Sequence, residues 1–284
     1  MYNPRDIACK RLHHKTSNPI FCTNCGEYKH SYRECVKPIT SLGVILYKPD
    51  ADYNYKYLLL CRRNTIGFVQ LVRGKYSFSD INYIQQIINV LTIDELEQIK
   101  TLDFSELWEV LWQDIKYNKE NSKNLNDKKM AEEKFTKLKQ GFCSNNMYYN
   151  IDYFIKNKTK FYKEQEWGFP KGRRKKDEDD LTGAIRELIE ETGISRESFT
   201  IDVESRLVEE YKSYDNIIYR NIYYLAEYSS DSEPRINETN MEQFTEISQI
   251  GFYEGSYIDT KFRDYEISKR ELMRQVEQKL GKVV

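Results

Sequence analysis

The chain has 284 residues, 31% of them charged, and a formal net charge of −1 at neutral pH. That length admits one large domain or a core domain with additions, and the near-zero net charge excludes global attraction to nucleic acid while permitting local basic patches. No apolar run approaches membrane-spanning length and the N-terminus has no signal-peptide core, so a reducing cytoplasmic setting, the host cytoplasm if the source is viral, is the expectation.

Residues 1–40 hold the first motif. Cys22-Thr-Asn-Cys25-Gly-Glu-Tyr-Lys-His30-Ser-Tyr-Arg-Glu-Cys35 reads C-x2-C-x4-H-x4-C and resembles a zinc knuckle, with Cys22, Cys25, His30 and Cys35 as ligands of a structural Zn2+. So short a segment has no core of its own, and the metal would supply its folding energy. Phe21, Tyr28 and Tyr32 among Lys29, Arg33 and Lys37 suit contact with single-stranded RNA. The alternative is a purely structural clip that docks the tail on the enzyme. Loss of zinc is expected to leave the rest of the chemistry untouched. His13 and His14 read as solvated tail residues, and Cys9, Cys61 and Cys143 have no matching partners.

Residues 41–75 turn extended. Gly43–Tyr47 and Tyr55–Cys61 are apolar and β-prone, with a turn at 49–52 between them, which predicts a hairpin. Arg62 and Arg63 then either face a phosphate or end the strand in solvent. Residues 76–160 read as a helical insertion: Ile84, Ile87, Ile88 and Leu91 share one helix face, and Thr92-Ile-Asp-Glu95 looks like a capping box. Asp103-Phe-Ser-Glu106 caps a further helix carrying Trp108 and Trp112, and Lys128 to Gln140 forms another that ends at Gly141. The later half of this block is basic, from Lys116 and Lys119 through Lys156, Lys158 and Lys160. Lys128, Lys129, Lys134 and Lys137 are its candidates for tracking an RNA backbone, set against an ordinary solvated helix face.

Residues 161–284 contain the most informative run, Gly172-Arg-Arg-Lys-Lys-Asp-Glu178-Asp-Asp-Leu-Thr-Gly-Ala-Ile-Arg186-Glu187-Leu-Ile-Glu190-Glu191-Thr-Gly193-Ile194. On a helix, Glu187, Glu190 and Glu191 share one face, and carboxylates so close repel unless a cation neutralises them. Hard oxygen ligands of this kind suit Mg2+ or Mn2+. Arg186 can pair with Glu190 one turn on, Leu181, Ala184, Ile185 and Leu188 form the stripe to be buried, and Gly193 suits a left-handed helix end. Glu187 or Glu190 also takes a proton from water, the sequence leaving open which, and Glu178 either buttresses the loop or binds a peripheral metal. Beyond this run come strands at Ser205–Tyr214 and Ile217–Tyr228, and a C-terminal helix from Phe262 to Leu280. Asp215 and Glu246 are the acids outside the run that merit attention.

The run G-x5-E-x7-R-E-x2-E-E-x-G resembles the Nudix box with no position missing. That resemblance implies an α+β chain, an α/β/α sandwich interrupted by the helical insertion, and a metal-dependent hydrolase of nucleoside diphosphates linked to another moiety. Trp167-Gly-Phe-Pro-Lys-Gly172, Leu102-Asp-Phe-Ser-Glu-Leu-Trp108 and the box itself are similar to the mRNA-decapping Nudix enzymes of large DNA viruses such as African swine fever virus. By that resemblance Asp215 adds a metal-binding acid and the substrate is capped RNA, cleaved to 7-methyl-GDP and 5′-monophosphate RNA. Diphosphoinositol polyphosphates are the alternative substrate, and a non-catalytic RNA-binding protein is the alternative of another class. The cysteine segment is a departure from that resemblance.

Overall fold

The computed structural model describes residues 20–50, 54–112 and 122–281. Cys9, His13 and His14, residues 51 and 52 of the expected turn, and Lys116 and Lys119 lie outside the described residues.

The sheet starts with β1 (Ile39–Pro49) and β2 (Tyr55–Arg62), paired antiparallel as the two apolar runs and the turn between them predict. The helices α1 (Ile66–Val72), α2 (Ile81–Asn89), α3 (Ile93–Thr101), α4 (Phe104–Trp112) and α5 (Ser122–Gln140) follow. A short hairpin, β3 (Phe142–Ser144) and β4 (Met147–Tyr149), leads to α6 (Ile151–Lys156). The chain then returns to the sheet with β5 (Trp167–Gly168) and β6 (Lys171–Gly172), and continues through α7 (Asp180–Thr192), β7 (Phe199–Lys212) and β8 (Ile218–Tyr228). Last come α8 (Met241–Glu246), β9 (Ile247–Glu254), α9 (Gly255–Lys261) and α10 (Ile267–Lys279). The main path is β5-β2-β1-β8-β7, with β6 paired to β1 and β9 to β2. β1 and β8 run parallel, and the other pairings are antiparallel.

Successive side chains of a strand face opposite ways, so β1, β2 and β8 supply two cores. Val44, Leu58 and Tyr224 pack under α7 with Ala184 and Leu188, whereas Ile45, Leu59 and Tyr223 pack under α10 with Leu272, Met273 and Val276. The result is the expected α/β/α sandwich. A third core is mainly helical, built from Ile84, Ile87, Ile88, Leu107, Phe135 and Leu138 with Phe142 and Tyr149 of the hairpin.

Buried polar groups join the helical block to the sheet. Glu95 completes the capping box of α3 and also accepts from Thr65 N and Thr65 Oγ1, both at 2.7 Å. Arg263 donates to the carbonyls of Val90 and Glu164, at 2.5 and 2.8 Å, and lies 3.6 Å from buried Glu166.

The helical core also takes in Phe68, Leu71 and Val72 of α1, so helical packing begins about ten residues before position 76. The β3–β4 hairpin was not anticipated; Asn145 and Asn146 hold φ of 50° and 61°, the left-handed pair of a tight hairpin. The expected C-terminal helix begins at Ile267 rather than Phe262, because Phe262 is extended and Arg263 reaches across to the helical block. Two lysines of the basic run are structural. Lys158 is buried with its ammonium on the carbonyls of Ile88, Asn89 and Leu91, satisfying the end of α2, and Lys160 pairs with Asp264. No helix among the described residues is long and apolar enough to cross a membrane.

Candidate active site

The box becomes a strand, a loop and a helix. Asp179 caps α7 by accepting from Thr182 N at 2.7 Å, and Gly193 closes it at φ 69°. Leu188 and Ala184 anchor the helix to the sheet, and Glu187 and Glu191 lie beside that contact, toward Gly172 and Lys171 of β6.

Arg186 organises that face. Its Nε and Nη2 donate to the two oxygens of Glu178 at 2.8 and 2.9 Å, and its Nη1 donates to Glu187 at 2.6 Å and to Glu190 at 2.8 Å. Lys175 adds an ion pair to the other oxygen of Glu190 at 2.6 Å, and its backbone N donates to Glu178 at 2.8 Å. Glu191 lies further on, its Oε2 accepting from Lys171 N at 2.8 Å. An added Cβ at Gly172 would stand 2.1 Å from Glu187 Oε2, so the box glycine is what lets this carboxylate lie against the strand.

The four acids differ electrostatically. Hydrogen bonds from Arg186 hold Glu178 below the ordinary carboxylate range. At Glu190 burial is outweighed by Lys175 and Arg186, and its pKa falls. Burial raises Glu187, and burial with the nearby charges of Glu187 and Glu246 pushes Glu191 up to about 7 despite Lys171. Among the described residues, Oε2 of Glu187 and Oε1 of Glu191 accept no hydrogen bond. Open carboxylate oxygens whose ionisation is penalised by burial are the donor set a hard divalent cation would stabilise, so these residues fit Mg2+ or Mn2+.

Other candidates separate. Both oxygens of Glu178 accept from Arg186 and the loop backbone, the geometry of the buttress among the two roles expected for it. Asp215 sits in the β7–β8 turn, where Oδ1 accepts from Ile217 N at 3.1 Å, and its charge acts on Tyr83 and Tyr219. Glu246 is the outside acid whose charge reaches Glu191. Arg63 serves the fold, donating to the carbonyls of Phe244 and Ile247 at 2.6 and 3.0 Å.

Sequence reasoning missed Lys175, the Lys171 amide and Glu209. Glu209 is buried on β7, bonded to Asn221 and Ser268 at 2.7 Å each, and its charge acts on Lys171. The available signal was a carboxylate two residues from Leu207 on the inward side of an alternating strand.

On α5, Lys134 is removed from the RNA candidates because its ammonium caps the carbonyls of Gly74 and Tyr76 at 2.9 and 2.8 Å. Lys128 bonds Ser105, Lys137 lies 4.9 Å from the centre of the Phe78 ring, and Lys129 is exposed.

In the cysteine segment, the ligand atoms of Cys22, Cys25, His30 and Cys35 all lie within 4.8 Å of one another. Burial opposes ionisation of Cys35, yet hydrogen bonds from Asn24 and His30 outweigh it and bring the thiol down to about 6. Burial pushes Cys25 up to about 11, and a bound cation is what would let a second thiolate form beside the first. Tyr28 and Tyr32 are exposed, and Phe21 packs edge-on against Tyr28 with ring centres 5.2 Å apart.

Comparison with known proteins agrees with this geometry. Residues 154–268 match the NUDIX domain. A protein of Acanthamoeba polyphaga mimivirus, provisionally named an mRNA-decapping protein, is 24% identical over 90% of this chain and 92% of its own length. The mRNA-decapping protein g5R of African swine fever virus is 29% identical over 75% of this chain and 84% of its own. Among solved structures, a C. elegans Ap4A hydrolase superposes with a TM-score of 0.43 at 13% identity, covering 86% of this chain and 98% of that one.

Proposed function

We propose, from the premise that this chain is a Nudix pyrophosphohydrolase, that it removes the cap from RNA, releasing 7-methyl-GDP and a 5′-monophosphate RNA. The observation that carries the reading is the extent of the likeness: 90% of the chain aligns with the mimivirus protein, insertion and sheet alike. The named relatives are described by RNA decapping, so inositol polyphosphates gain no support as the substrate.

Mg2+ or Mn2+ bound by Glu187, Glu190 and Glu191 would neutralise charge developing on the phosphoryl oxygens and acidify the attacking water. Arg186, itself held by Glu178, orients Glu187 and Glu190, and the Lys171 amide fixes Glu191. Glu190 has both oxygens in ion pairs, whereas Glu187 keeps one open oxygen and a raised pKa. Glu187 is therefore the residue that takes the proton from water. Cys22, Cys25, His30 and Cys35 would hold a structural Zn2+, and Lys128, Lys129 and Lys137 present the RNA-facing charge of the insertion. Action on capped RNA in the host cytoplasm is part of the same reading.

The deciding experiment compares capped RNA and diadenosine tetraphosphate side by side, with and without Mg2+ or Mn2+. Release of 7-methyl-GDP that requires the cation supports the reading. Hydrolysis of the small substrate alone would overturn decapping and leave a general pyrophosphohydrolase.

A further inference from the structure

The cysteine unit is docked on the loop of the box. Asn24, buried between two ligand cysteines, donates to the carbonyls of Lys37 and Pro38 at 3.2 and 3.0 Å and accepts from Thr40 N at 2.8 Å. Those bonds tie the unit to the start of β1, and Arg173 of the box donates to the Thr40 carbonyl at 2.9 Å. The turn between Cys22 and Cys25 continues into Gly26, at φ 74°, whose backbone covers the guanidinium of Arg174. An added Cβ there would meet Arg174 Cζ at 3.0 Å. Tyr28 Oη reaches Asp177 Oδ1 at 3.5 Å across an open cleft of about 420 Å³.

Arg174 is buried and braces the loop from inside. Its Nη2 pairs with Asp180 at 2.6 Å and its Nη1 donates to the Glu178 carbonyl at 3.1 Å, which joins the first turn of α7 to the loop before it. Glu178 in turn holds Arg186, and Arg186 holds Glu187 and Glu190. A continuous path of contacts therefore runs from the metal-ligand turn to the reactive carboxylates. That path is the ground for expecting the two sites to be coupled rather than independent.

We propose that the zinc-loaded N-terminal unit is a brace for the catalytic loop, and that Arg174 is the positioning residue through which zinc occupancy sets the placement of Glu187 and Glu190. The proposal rests on the Zn2+ assignment and the pyrophosphohydrolase reading above. The brace acts on turnover rather than on RNA contact, so its effect extends to substrates too small to reach the N-terminal surface. Displacing reactive groups by as little as about 1 Å costs rate by a factor on the order of 100, and a partial loosening costs less.

The test uses the full chain with diadenosine tetraphosphate as substrate and saturating Mg2+. Cys25→Ser is expected to lose zinc by metal analysis, and kcat to fall roughly 10- to 100-fold with KM within about twofold. Arg174→Ala is expected to keep zinc and lose kcat to a similar extent. Because both changes interrupt one path, the double variant should lose little more than either single variant. Hydrogen exchange at residues 173–180 should accelerate in both, a readout that stands even if the small substrate is not turned over. Unchanged exchange there in zinc-free Cys25→Ser overturns the brace, as do multiplicative losses in the double variant. Failure of the decapping reading would appear separately, as absent cap release with these small-substrate effects intact.

Discussion

Replacing Gly172 with Ala separates the stability of the site from its chemistry. The added Cβ would lie 2.1 Å from Oε2, 2.2 Å from Cδ and 2.4 Å from Oε1 of Glu187. Ordinary contact requires roughly 3.5 Å, so the carboxylate must retreat by more than about 1 Å. The obstruction is the end of a flexible side chain, and moving it off its rotamer costs only about 1 kcal/mol. Folding should therefore survive, with Tm within a few degrees of the parent. The retreat nonetheless alters the 2.6 Å bond to Arg186 and moves the proposed proton acceptor away from its water. A shift of that size lowers turnover by about 100-fold. Steady-state kinetics on capped RNA and on diadenosine tetraphosphate, beside a thermal melt, measure both quantities. A variant with parental kcat would refute the placement of Glu187, and one that unfolds while its residual folded fraction turns over normally would assign Gly172 to stability alone.

Three further outcomes are expected. The double variant Glu190→Gln, Glu191→Gln keeps the shape of the face but removes two charges, and turnover on every diphosphate should fall by at least about 100-fold without loss of folding; parental rates would dismiss the cluster as the metal site. Lys129→Glu with Lys137→Glu should weaken RNA binding and reduce the slope of log affinity against log salt by roughly 0.7 per lost phosphate contact, whereas Lys134→Ala should instead lower Tm, by leaving the carbonyls of Gly74 and Tyr76 unpaired; an unaltered slope or a stable Lys134→Ala protein would count against each assignment in turn. Burial raises Glu191 to about 7 from an ordinary 4.5, so without added divalent cations its contribution to stability is present below about 4.5 and lost as pH rises through about 7; melts of Glu191→Gln should gain on the parent across that window, and parallel curves would show that the shift is absent.

The difference between what was legible and what was not follows the range of the interactions. Glu187, Glu190 and Glu191 could be placed on one face because helix period is a local property, and the same holds for the Thr92–Glu95 capping box and the left-handed Gly193. The apolar, β-prone runs of β1 and β2 and the turn signal between them are equally local, and they yielded the first hairpin. Lysines carry no such signal. Lys134 and Lys158 have the same neighbours in sequence as a solvated basic helix, and only the packing of α1 and α2 reveals carbonyls waiting for them. Asp215 and Glu246 were indistinguishable as loop acids in the sequence; the structure sets Asp215 in the β7–β8 turn and brings the charge of Glu246, the last residue of α8, to bear on Glu191. The cysteine unit combines both situations. Its spacing announces four ligands, yet Gly26, readable as the residue that permits a tight turn, has a second requirement that no spacing encodes: its missing side chain is the space into which Arg174 fits. A residue conserving both duties ties the fold of a metal-bound tail to the loop that carries the chemistry, which is why zinc content and turnover should be measured on the same preparation.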